Sequence, residues 1–95
     1  MKMNVISDFF NKVLIQIYKS TKELDRCDSF VRGWYLEIVD LCKKALLEPE
    51  SQRENFYEMV VDMIFAYSAD ELFEIPLTDN LIMLFQQASD LLKSH

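Results

Sequence analysis

Turn residues are scarce in this chain: Gly33 is its only glycine, and Pro49 and Pro76 are its only prolines in 95 residues. A β-rich fold would lack its usual turn chemistry, whereas long helices joined by short connections need little of it. Histidine occurs once, as His95 at the last position. Order is weakest at chain ends, so neither a serine nor a cysteine nucleophile has a positioned base. A single glycine also excludes a glycine-rich phosphate loop. Cys27 and Cys42 have neither C-x-x-C spacing nor histidines around them, which leaves no zinc or redox motif. A reduced cytosolic pair is expected. Ser7 and Asp8 interrupt the apolar residues of MKMNVISDFF, and no other apolar run approaches a membrane span. The chain reads as a cytoplasmic protein without membrane contact, cofactor or metal.

Basic residues are the other deficit, and they are short in one half. Met1 to Leu47 carries eight basic and six acidic residues, while Glu48 to His95 carries two basic and ten acidic, which together give the net charge of −6. Phosphate neutralisation by lysine and arginine supplies most nucleic-acid affinity, so direct nucleic-acid binding is excluded as the expected function. The same sign disfavours an anionic membrane surface. A basic protein partner suits it.

Hydrophobic residues make up 51% of the chain, including seven Phe, four Tyr and one Trp, so disorder is not the default reading. One domain spanning residues 1–95 can bury a modest core without disulfides or metal. The pattern is helical throughout. Val5, Ile6, Phe9, Phe10, Val13, Leu14, Ile17 and Tyr18 form the first stripe, with Asn4 as cap and an end between Ser20 and Arg26, where mixed charges suit a loop or a fraying turn. The second helix starts at Asp28 or Ser29 and stops at Leu47, because Pro49 biases Glu48 away from helical angles. Val31, Trp34, Tyr35, Ile38, Leu41, Cys42, Ala45 and Leu46 face inward. Gly33 inside it costs about 1 kcal/mol against alanine; it either lets a neighbouring helix close to Trp34, the expected reason, or marks a later helix start.

Ser51 and Glu54 have capping-box spacing, which starts the third helix at Gln52. Its inward face collects Phe56, Tyr57, Met59, Val60, Met63, Ile64 and Tyr67. Glu54, Glu58 and Asp62 lie opposite, four residues apart and within about 80° of arc. Each like-charge pair at that spacing costs roughly 0.2–0.5 kcal/mol, and the sequence offers no lysine or arginine between Arg53 and Lys93 to relieve it. Val61 and Phe65 fall beside the acids. A patch of rim carboxylates around an apolar anchor has the composition of an electrostatically steered interface. After this the chain either breaks at Ser68 and restarts as a short helical turn, or runs as one helix to Glu74. A break folds Asp70, Glu71 and Glu74 back to extend the patch. Ile75 precedes Pro76 and leaves the helix, Thr78 caps the last helix, Leu77 packs on Ile82, and Leu81, Leu84, Phe85, Ala88, Leu91 and Leu92 form the final stripe.

Four amphipathic helices with short connections predict an all-α, antiparallel four-helix bundle, with the possible extra turn before the last helix. Ile15, Leu36, Leu47 and Met83 fall on outward arcs, leaving either a monomer or a weak homodimer. Carboxylates pointing away from the apolar stripe do not build a bundle-core metal site, and nothing else has the makings of a reacting constellation, so binding without catalysis is expected.

In overall plan the chain resembles the small helical immunity proteins of bacteria, which block their producer's own bacteriocin, colicin or contact-delivered toxin. The resemblance rests on size, four helices, LIQIYKST (Leu14 to Thr21) near the end of the first helix, CKKALLE (Cys42 to Glu48) closing the second, and the IPLT junction (Ile75 to Thr78). It covers most of the chain in pattern and little in specific motif. Immunity proteins against pediocin-like bacteriocins are similar in the second-helix ending and the junction. Those against nuclease toxins are similar in charge, since they cover a basic groove with carboxylates and a few aromatics. That resemblance implies a basic toxin domain as partner and gives the covering role to Glu54, Glu58, Asp62 and Phe65, beside Val61, Asp70, Glu71 and Glu74. Two other functions fit the same composition: a nucleic-acid mimic that disarms a defence nuclease, and a helical adaptor or chaperone that dimerises through Ile15, Leu36 or Met83.

Overall fold

The computed structural model describes residues 2–94. Its elements in chain order are α1 (Lys2–Lys19), α2 (Thr21–Asp25), α3 (Ser29–Leu47), a 3-10 turn at Glu50–Gln52, α4 (Arg53–Ala66), a second 3-10 turn at Glu71–Phe73, and α5 (Pro76–Lys93). The described residues contain no strand. A radius of gyration of 13.0 Å is close to the ~12 Å expected of a globule this long, so the wide stripes close into a core instead of a rod.

α1 lies at the centre of the arrangement, packing on α3, α4 and α5. Its stripe of Ile6, Phe9, Phe10, Val13 and Ile17 is fully buried. α3 contributes Val31, Tyr35, Ile38, Val39, Cys42 and Ala45, and α5 contributes Leu77, Leu81 and Ala88. These form one cluster with Leu24, Val60, Ile64 and Phe73. Proline chemistry sets two boundaries as expected. Glu48 (φ −80°, ψ 161°) and Ile75 (φ −126°, ψ 152°) are both extended, each directly before a proline. Asp28 caps α3 by accepting from the Phe30 amide at 2.8 Å.

Several local expectations are corrected. Asn4 is not a cap, since α1 already includes Lys2. α1 ends at Lys19, just before the expected range, and residues 21–25 form a separate helix α2 instead of a loop or a fraying last turn. Two contacts explain it: Leu24 is buried, and the Glu23 carboxylate accepts from the Leu77 amide at 3.4 Å, placing a negative charge on the N-terminus of α5. Thr78 is not the cap of that helix, because Ile75 holds that position and Pro76 opens the first turn. Thr78 is instead buried: its hydroxyl donates to the Phe73 carbonyl at 2.6 Å, so the Tyr35 hydroxyl donates to Thr78.

The Ser51–Glu54 capping box does not form either. Ser51 is taken up by the 3-10 turn, and α4 starts without a side-chain cap. Arg53 provides the anchorage there. Its Nε and Nη2 donate to the Ala45 and Leu46 carbonyls at 3.3 Å each, and its Nη1 donates to Ser7 Oγ at 2.9 Å. One guanidinium thereby satisfies carbonyls left open at the end of α3 and ties α1, α3 and α4 together. Gly33 also departs from expectation: a Cβ built there would meet nothing within 4 Å, so no helix approaches it. Met59, Tyr18 and Leu91, all expected inside, are 48%, 54% and 47% exposed.

Candidate partner-binding surface

α4 ends at Ala66, and Ser68 turns its hydroxyl back onto the Phe65 carbonyl at 3.1 Å, so the long-helix alternative is excluded. The restart at Glu71–Phe73 is capped by Asp70, whose carboxylate accepts from the Leu72 amide at 2.8 Å. Ser68 therefore marks the break without making a capping box.

α4 buries only Val60 and Ile64. Phe56, Tyr57, Val61 and Met63 are half-buried along its two flanks. Its outward arc carries Glu58, Asp62 and Phe65, all exposed, with Glu54 at the edge. Phe65 is 40% exposed and meets the edge of the Phe85 ring at 5.3 Å, while Phe85 in turn stacks with Tyr57 at 6.5 Å. It is therefore held on one side and open on the other. Val61 packs against the core and belongs to the flank, not to the wet face.

The acidic arc is less uniform than the local sequence implies. Lys2, fifty-two positions earlier, forms an ion pair with Glu54. Among the described residues the other ion pairs are Lys12–Asp8 and Arg53–Glu50, which leaves Glu58 and Asp62 without a direct ion pair. Lys2, Glu54, Glu58 and Lys93 rim an open groove of about 480 Å³, with Ile6, Tyr57 and Leu92 lining it. Sequence spacing could not supply Lys2, because nothing local links it to α4.

The remaining predicted residues lie in a different segment. Asp70 is occupied by its capping bond, Glu71 and Glu74 are exposed, and Glu74 shares a hollow of about 510 Å³ with Ser68, Pro76 and Asp79. They adjoin an aromatic cluster at the start of α3. There the Trp34 indole donates to the Met63 carbonyl at 3.0 Å, and Tyr67 stacks on Phe73 at 4.9 Å. Trp34 meets Tyr67 edge-on at 4.8 Å. Phe30 completes the cluster although it is 50% exposed, and Leu72 is 55% exposed. Phe30, Gly33, Trp34 and Glu37 line a hollow of about 330 Å³. Sequence reading passed over it, although the spacing i, i+3, i+4, i+7 places these four on one helix face.

Neither cysteine is arranged for chemistry. Both are free, and Cys42 is fully buried, which pushes its thiol up to about 12. Cys27 is also raised, by burial first and by the Glu23 carboxylate second, and its Sγ donates to the Glu23 carbonyl. Low-pKa thiolates are the reactive ones, so neither has that character. Among the described residues no group of three or more potential ligands is placed to hold a metal ion, and no helix is long and apolar enough to cross a membrane. The described residues thus form an all-helical fold. No protein-family model, curated protein or solved structure matches the chain.

Proposed function

We propose that this chain is a non-catalytic, cytoplasmic inhibitor of the immunity-protein kind, which binds a basic toxin domain through α4 and neutralises it by occlusion. The observation that carries the proposal is the outward arc of α4, where two carboxylates without an ion pair among the described residues, Glu58 and Asp62, flank the half-open ring of Phe65. Charges at a rim accelerate encounter, and an aromatic anchor lengthens the life of the complex. Glu54 joins this surface when Lys2 releases it, and Val61 supports Phe65 from the flank. Asp70, Glu71 and Glu74 extend the negative field toward the α4–α5 connection. In the same proposal α1, α3, α4 and α5 form an antiparallel four-helix bundle, with α2 as a brace, so that α4 is a rigid platform for the partner.

The test is to express the tagged chain with its genomic neighbours, purify the protein that binds it, and measure affinity at two salt concentrations. Reversing Glu58 and Asp62 to lysine should weaken binding by at least about tenfold and flatten its salt dependence. Phe65→Ala should weaken it by about tenfold, mainly through faster dissociation. Unchanged affinity and unchanged salt dependence in these variants would overturn the proposal.

A further inference from the structure

Gly33 is the least explained residue in the fold. It sits inside α3 without a positive φ, and a Cβ there would meet nothing within 4 Å. Neither backbone freedom nor close packing accounts for it, yet a mid-helix glycine is disfavoured against almost any other residue. What its missing side chain does is keep open the hollow of about 330 Å³ between Phe30, Trp34 and Glu37.

The walls of that hollow are fixed. Phe30 and Trp34 stack with centroids 6.3 Å apart and planes 28° apart. The Trp34 indole is pinned by its bond to the Met63 carbonyl. Phe30, though 50% exposed, is braced edge-on by Tyr67 at 5.5 Å and Phe73 at 6.0 Å. Glu37, one helical turn from Gly33, contributes an exposed carboxylate that pairs with no lysine or arginine among the described residues. Ordered aromatic rings beside an unpaired carboxylate, with a bare glycine between them, match a planar cation. The guanidinium is planar, stacks on aromatic faces and pairs with a carboxylate through a two-pronged contact, none of which an ammonium does as well.

We propose that the Phe30–Gly33–Trp34–Glu37 hollow is a receptor for a single arginine side chain of the basic protein partner. It takes from the proposed function only the source of that arginine. The site is distinct from the α4 arc, because Trp34 meets α4 on the flank that faces α3.

Trp34 is the chain's only tryptophan, so its fluorescence reads the site directly. The full chain is titrated with capped Ala-Arg-Ala, Ala-Lys-Ala and Ala-Leu-Ala tripeptides. The arginine peptide should give a saturable change, with affinity about tenfold above that of either counterpart. Glu37→Gln and Gly33→Leu should each reduce that affinity at least about fivefold. Gly33→Ala, which relieves an unfavourable helix residue, should melt at or above the wild-type temperature. Gly33→Leu, which also replaces an unfavourable helix residue, should melt no lower than the wild type, so loss of arginine binding in an intact fold separates ligand binding from a structural role. Lack of saturation, equal binding of lysine or leucine peptides, or a lower melting temperature for Gly33→Ala would each overturn the assignment. Replacing Glu58 and Asp62 by lysine should leave arginine-peptide affinity within about twofold. Loss of binding in that variant would move the guanidinium to α4, overturning this site while sparing the proposed function.

Discussion

α1 and α4 are both rich in apolar residues, yet they use them oppositely. α1 gathers its large side chains onto one arc and buries Ile6, Phe9, Phe10, Val13 and Ile17 between three other helices. α4 distributes Phe56, Tyr57, Met59, Val60, Val61, Met63, Ile64 and Phe65 around most of its circumference and buries only Val60 and Ile64. The difference shows that hydrophobic content sets how much a helix can bury, while segregation sets how much it does bury. α1 is a core element; α4 is a plate fastened to it, with Arg53 and the Trp34–Met63 bond as fasteners.

Truncation of one phenylalanine in each helix tests that contrast most strongly. Phe10 is 0% exposed, so Phe10→Ala should lose about 3–5 kcal/mol, a large share of the stability of a domain this size. Phe65, 40% exposed, gives up its edge contact with Phe85 and a partial burial, so Phe65→Ala should cost about 1–2 kcal/mol. Chemical denaturation of the two variants measures both. Equal losses would show that α4 is as deeply integrated as α1, and the contrast would be wrong.

Alkaline pH extends the contrast to core against plate, because Cys42 is buried in the core on α3 and Tyr57 is half-buried on α4. Burial raises the Cys42 thiol from 9.0 to about 12 and also raises the half-buried Tyr57 hydroxyl on α4. A group whose folded-state pKa is raised favours the fold fully below its unfolded pKa, and that contribution disappears as pH climbs to the folded value. Stability should therefore fall between pH 9 and pH 12, with Cys42 contributing on the order of 4 kcal/mol. Equilibrium unfolding across this range should show a shallower decline for Cys42→Ala than for the wild type. A parallel decline would assign the alkaline sensitivity to the tyrosines, including Tyr35, which burial raises as well.

Much of the fold was legible in the sequence because its determinants are local. Most of the α1 and α5 stripes, the extended residues before Pro49 and Pro76 and the Asp28 cap depend on a few adjacent positions, whereas the break at Ser68 stood open against one helix to Glu74. What escaped depends on contacts across the chain. Glu23 stabilises α2 through the amide of Leu77, and Arg53 anchors α4 by reaching Ser7 and the end of α3. Ser51 follows the same logic: its spacing to Glu54 suits a cap, but the turn after Pro49 takes that residue into a 3-10 conformation first. On the candidate surface, the wheel separated Glu58, Asp62 and Phe65 from the core but put Val61 on the wrong side, and it could not supply Lys2. The Gly33 hollow was written in the spacing of its four residues, yet an interior glycine is explained by close packing so often that an open position went unread.

The smallest effect concerns Lys2, where stability and binding should part company. The Lys2–Glu54 pair joins two exposed side chains, and such pairs contribute between about 0 and 1 kcal/mol. Lys2→Ala should therefore change unfolding free energy by less than about 0.5 kcal/mol. It also removes the positive charge that, among the described residues, pairs with an α4 carboxylate, so affinity for a basic partner should rise by about two- to threefold and depend more steeply on salt. A variant that instead loses more than about 1 kcal/mol of stability would make Lys2 a fastener of α4 onto α1. Glu54 would then belong to the packing of the plate, and the proposed binding arc would contract to Glu58, Asp62 and Phe65.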